Sequence, residues 1–171
     1  MPRITPALAV LALAACARAT GARILPPSPP TPLVPYQVDE RSLLAPPGGQ
    51  LKSNSEDVEI HYDGPAVLIV TSVSKTGVSL SESDIERLLH HVPGMADAPL
   101  AKEESKEAAL FCVENRPRAA CARVNDEAGV MVLATFAAPL ATYDPYGGAR
   151  TAAEAARSAK GFRPPEPLPP P

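Results

Sequence analysis

Proline decides how much of this chain is free to pack. The 171 residues include 22 prolines, and most of them crowd toward the two ends. Pro26, Pro27, Pro29, Pro30, Pro32 and Pro35 fall within ten residues, and Pro46-Pro47-Gly48-Gly49 follows soon after. The chain closes on Pro164-Pro165-Glu166-Pro167-Leu168-Pro169-Pro170-Pro171. Proline fixes φ and lacks a backbone donor, so such stretches favour extended polyproline II over a hydrogen-bonded core. Residues 16–56 therefore read as a linker and 164–171 as a second extended tail. A spacer role is favoured over a ligand for a proline-binding partner. Only Tyr36-Gln37-Val38 and Ser42-Leu43-Leu44 offer apolar spots that dock locally.

The segment between, residues 57–137, carries regular patterns. Val58-Glu59-Ile60-His61-Tyr62 alternates apolar and polar residues, as a half-buried strand does. Asp63-Gly64-Pro65 is a turn signal, and Ala66-Val67-Leu68-Ile69-Val70 is a continuous apolar run that suits a central strand. The two read as a hairpin. A helix follows: Ser83 and Glu86 have capping-box spacing, with Ser81 as a rival cap. Ile85, Leu88, Leu89 and Val92 share one helical face, and Pro93-Gly94 ends it. Residues 95–105 read as a loop. Strands are expected over 108–113, 119–124 and 129–136. The order β-β-α-β-β-β gives an α+β fold: a small, mostly antiparallel sheet with one packed helix. Residues 138–163 read as a turn and an Ala-rich helix with little to bury.

Composition narrows the function classes. Aromatics are 4% of the chain and Trp is absent, and much of the 45% hydrophobic content is Ala, which buries little area. The net charge of −3 does not supply the basic stripe that nucleic acid requires. His90 and His91 are neighbours on the helix and point about 100° apart, and His61 belongs to the polar side of its strand. None of the three has the spacing of a zinc site, so no metal or other cofactor is expected. No G-x-S-x-G elbow, P-loop or dinucleotide-binding glycine motif occurs, and no catalytic residue is assigned. Tyr143-Asp144-Pro145-Tyr146-Gly147-Gly148 is the most unusual local string. Tyr143 and Tyr146 either form an exposed recognition turn or cover an edge of the sheet. Arg116, Arg118 and Arg123 gather near a hairpin tip, where solvated charge is favoured over a phosphate contact.

The first residues carry an address. Arg3 precedes an apolar run from Ile4 to Ala15 that has the length of a signal core. It is shorter than the roughly 20 residues that span a bilayer. It ends in Leu13-Ala14-Ala15-Cys16, which resembles the bacterial lipobox. The resemblance covers residues 1–16 and implies a signal peptide over 1–15. It implies a diacylglycerol on the Cys16 thiol and an acyl group, such as palmitate, on the new amine. Chains of this kind hold stably where one alone holds weakly. Ala17 after the cysteine, where enteric lipoproteins kept at the inner membrane carry Asp, implies an outer-membrane anchor facing the periplasm. The alternative is cleavage at Ala15-Cys16-Ala17 or Ala17-Arg18-Ala19 as an ordinary secretory signal, with a soluble periplasmic or secreted product.

With Cys16 lipidated, Cys112 and Cys121 remain, an even pair in an oxidising compartment. If 115–118 form a hairpin loop, Glu114 faces Ala119, Val113 faces Ala120, and Cys112 faces Cys121. A structural disulfide is expected, over free buried thiols or a redox pair. The whole layout implies an envelope lipoprotein that tethers or assembles, with another envelope protein as partner. A ligand-binding lipoprotein is the alternative, and an enzyme is disfavoured.

Overall fold

Among the described residues, nine strands pair into two antiparallel sheets, and three helices accompany them. The computed structural model describes residues 32–54, 56–74, 80–104, 108–124 and 130–163. β1 (Val34–Val38) and β2 (Arg41–Ala45) form a hairpin. β3 (Gln50–Ser53), β4 (Asp57–His61) and β5 (Val67–Ser74) follow as a meander. After α1 (Glu82–His91) come β6 (Leu100–Glu104), β7 (Ala109–Asn115), β8 (Arg118–Val124) and β9 (Val130–Ala137). The short α2 (Leu140–Tyr143) and α3 (Ala149–Ser158) end the order. The large sheet runs β3-β4-β5-β9-β8-β7-β6, antiparallel throughout. The fold is α+β, and β5 is central as its apolar run implies.

Three readings of the sequence need correction. Residues 34–53, assigned to the linker, form β1, β2 and β3. The burial of β1 alternates, and Leu43 and Ala45 of β2 join the core. Proline is tolerated here by position. Ser42 and Leu44 turn their backbone toward the α3 side: Ser42 exchanges bonds with Lys160 and the Leu44 N–H donates to Ser158 Oγ. Their partners in β1, Gln37 and Pro35, therefore turn away from β2. Pro35 sits where its missing donor breaks no pairing with β2. Second, residues 100–104 are an edge strand, not loop. Their Lys-Glu-Glu sequence hides the strand pattern and guards the edge. Third, α3 packs firmly. Ala152, Ala155 and Ala156 are fully buried, because a helix of small residues can approach the large side chains of the sheet closely.

The hairpin reading of β7 and β8 holds with a tighter turn. Asn115 pairs with Arg118, the Arg116–Pro117 peptide is cis, and the register sets Cys112 against Cys121. The two are joined in a disulfide, buried on the α3 side of the sheet.

Candidate functional site

A strand sends successive side chains to opposite faces, so the seven-stranded sheet has two. On one face Val58, Ile60, Leu68, Val70, Leu110, Val132 and Phe136 meet α3 and the β1–β2 hairpin, and all are buried. On the other, Phe111, Val113, Ala120, Ala122 and Met131 lie buried with Ile85 and Leu89 of α1. α1 covers only part of that second face. It packs on β7 and β8.

A single row of paired residues shows where the cover stops. Read across the sheet, the row is Lys52, Glu59, Ile69, Thr135, Ala120, Val113 and Leu100. Ala120 and Val113 under α1 are fully buried, while Thr135, Ile69 and Glu59 are half-buried and Lys52 is exposed. Val67 and Ala137 continue the half-buried floor in the next row, beside His61. His61 Nε2 lies 2.6 Å from Glu59 Oε2 on this floor, with side chains 37% and 33% exposed.

The flank of α1 supplies a wall. Glu82 pairs with Lys102 of β6 at 2.9 Å, which turns that side of the helix toward β6. Leu88 and Val92 lie on the opposite flank, toward β9, and both are half-buried. Floor and wall together form an open step, apolar at the corner and charged at its far rim.

Local chemistry holds α1 in place. Ser81 is its N-cap, and Asp84 completes the capping box that the sequence assigned first to Ser83 and Glu86. The hydrogen bonds from Ser81 hold the Asp84 carboxyl below its usual range. Lys102 is pushed up to about 12 by its hydrogen bonds to Glu104 and Glu82. At the other end, Arg118 donates to the Pro93 carbonyl at 3.1 Å and Asn115 to the Gly94 carbonyl at 2.8 Å. The outer side of α1 carries a shallow groove of about 350 Å³ lined by Ser83, Glu86, Arg87, His90, His91 and Ala96. Neither histidine faces a metal set: His90 meets the Ala98 carbonyl and His91 the Arg87 carbonyl.

The other residues singled out in the sequence have definite places. Tyr143 is fully buried, stacks on Phe136 at 5.7 Å, and donates to Glu114 at 3.0 Å. Burial, then the Glu114 carboxylate, pushes its hydroxyl pKa far up. Tyr146 is half-buried, 4.8 Å from Tyr62 and 6.3 Å from Phe136. These rings close one end of the sheet; they do not present a recognition turn. Tyr36 and Tyr62 extend the cluster, and both hydroxyls donate to the Pro46 carbonyl. Gly49 is required beside them, since a Cβ there would stand 2.1 Å from Ile60 Cγ2.

The three arginines do not form a patch. Arg116 pairs with Asp144, Arg118 serves α1, and Arg123 lies at the far end of β8. Arg123 donates at 2.8 Å to both the Arg157 and Ala159 carbonyls and so caps α3. Burial lowers its pKa. The half-buried floor is not visible in the sequence because its residues belong to three strands, β4, β5 and β9. Only the register makes them neighbours.

Among the described residues, no group of three or more His, Cys, Asp or Glu side chains is placed to hold a metal. No described helix is long and apolar enough to cross a membrane. Cys16 lies outside the described residues. No protein-family model matches this sequence, and no curated protein matches it either.

Proposed function

We propose that this chain is an envelope lipoprotein, held in the outer membrane through Cys16, whose folded domain serves tethering or assembly rather than catalysis. The observation that carries the reading is the Cys112–Cys121 disulfide. It takes two of the chain's three cysteines and suits an oxidising compartment, and the third, Cys16, closes the lipobox-like Leu13-Ala14-Ala15-Cys16. The broad open step on the sheet supports an assembly role, since it offers a surface rather than an enclosed cavity.

Intact mass of the chain from the membrane fraction tests the anchor. The expected product begins at Cys16 and carries added acyl mass, and Cys16→Ser is expected to move the protein out of the membrane fraction. A soluble, unacylated product that begins after Cys16 would overturn the anchor and leave an ordinary secreted protein.

A further inference from the structure

The step beside α1 has a shape that completes itself. Among the described residues, α1 lies over β7 and β8 and reaches Met131 of β9, and it leaves Thr135 and Ala137 of β9, Val67 and Ile69 of β5, and Glu59 and His61 of β4 only half-buried on the same face. Packed helices run about 8–10 Å apart, and strands in a sheet about 4.8 Å apart. A second helix laid beside α1 on its Leu88 and Val92 flank therefore sits about two strands along, over β9 and β5.

We propose that this second helix is α1 of another copy of the chain, so that the step is a homodimer interface. The inference rests on the assembly role proposed above and not on the lipid. A two-fold axis parallel to α1 and between the two helices satisfies three requirements in one operation. It sets Leu88 against Leu88 and Val92 against Val92, which closes the apolar wall on itself. It lays each helix on the other copy's open floor, giving a layer of two helices between two sheets. It also matches charge. Arg87 lies opposite the buried Ile85 and Leu89 line on the helix, so it points straight at the partner's floor. There it lands on the row of Ile69 and Thr135, within a side chain's reach of Glu59. Its own ion pair, with Asp84 at 3.8 Å and 70% and 42% exposed, is a weak competitor.

The strand edges favour face packing over edge pairing. β3 is four residues long and carries Lys52, β6 carries Lys102, Glu103 and Glu104, and β1 presents Pro35 to its outer side.

Cross-linking in the full chain, in the cells that carry it, tests the proposal. Leu88→Cys with a short bis-maleimide is expected to give a species of twice the chain's mass. Gln37→Cys, exposed on the α3 side, is expected to give none. Arg87→Glu is expected to lower the Leu88→Cys product about tenfold, and Glu59→Arg added to it to restore the product. Light scattering of the unaltered chain in detergent is expected to report a dimer. A chain that scatters as a monomer and yields no Leu88→Cys product overturns the proposal. So does a product of any other mass, which would give the step to a different protein. Failure of the double reversal to restore the product overturns the axis. Repeating the experiment in Cys16→Ser separates loss of the dimer from loss of the anchor.

Discussion

The two faces of the sheet are covered by opposite means. On one, the buried side of α3 is nearly all alanine and the sheet supplies the bulk: Leu68, Leu110, Val132, Phe136 and the disulfide. On the other, α1 supplies Ile85 and Leu89, which lie over Ala120 and Ala122 of β8 between the larger Phe111, Val113 and Met131. Volume is conserved across each layer, so a small helix face is as good a lid as a large one where its partner is large. The ends differ too. α1 has a side-chain cap at its start, Ser81 with Asp84; α3 starts at Gly148 without one and is held at its last turn by Arg123. The lesson is that neither helix's own hydrophobicity measures how firmly it docks.

The strongest way to break the comparison is at the aromatic end of the α3 face. Tyr143→Ala is expected to cost about 4 kcal/mol in denaturant unfolding, against about 1 kcal/mol for Tyr143→Phe, which leaves the ring and removes only the bond to Glu114. On the α1 face, Leu89→Ala is expected to cost about 3 kcal/mol, because truncating a fully buried side chain leaves a cavity. The converse change tests α3: Ala152→Leu, at a fully buried site, is expected to cost about 2 kcal/mol by overpacking, with a lowered urea midpoint. A neutral or stabilising result there would mean that α3 docks loosely.

The open floor sharpens the contrast at lower energy. Ile69→Ser is expected to cost less than about 1 kcal/mol in urea unfolding of the Arg87→Glu chain, since Ile69 is only half-buried. The smallest effect expected is at the cap of α1. The Asp84 carboxyl is held low in the fold, so its contribution is present above the unfolded value and lost as pH falls through the folded one. Asp84→Asn is expected to lower the urea midpoint slightly at neutral pH and to leave it nearly unchanged at low pH, so that the acid side of the stability–pH profile flattens. An acid side as steep as that of the unaltered chain would remove the capping role.

Much of the fold was legible because its signals are local. Val58 to Val70, the face of Ile85 and Leu89, and the three strands around Cys112, Cys121 and Val132 each declare a period within their own residues. The hairpin register followed from counting across one turn. What was missed carries no such signal, or a misleading one. Lys102-Glu103-Glu104 reads as loop, and the prolines around Tyr36 and Leu43 read as linker. The step was invisible because Lys52, Glu59, Ile69 and Thr135 lie on four separate strands.

By itself, then, the sequence determined the antiparallel strands at the centre, the helix between them and the pairing of Cys112 with Cys121. All of these depend on residue spacing over a few turns of chain. Only the tertiary structure decided that an alanine-faced helix would be buried, that Pro35 would find a position where no donor is needed, and that, among the described residues, part of one face of the sheet would be only half-buried. Those outcomes depend on what arrives from elsewhere in the chain, because burial and hydrogen bonding are properties of neighbours in space.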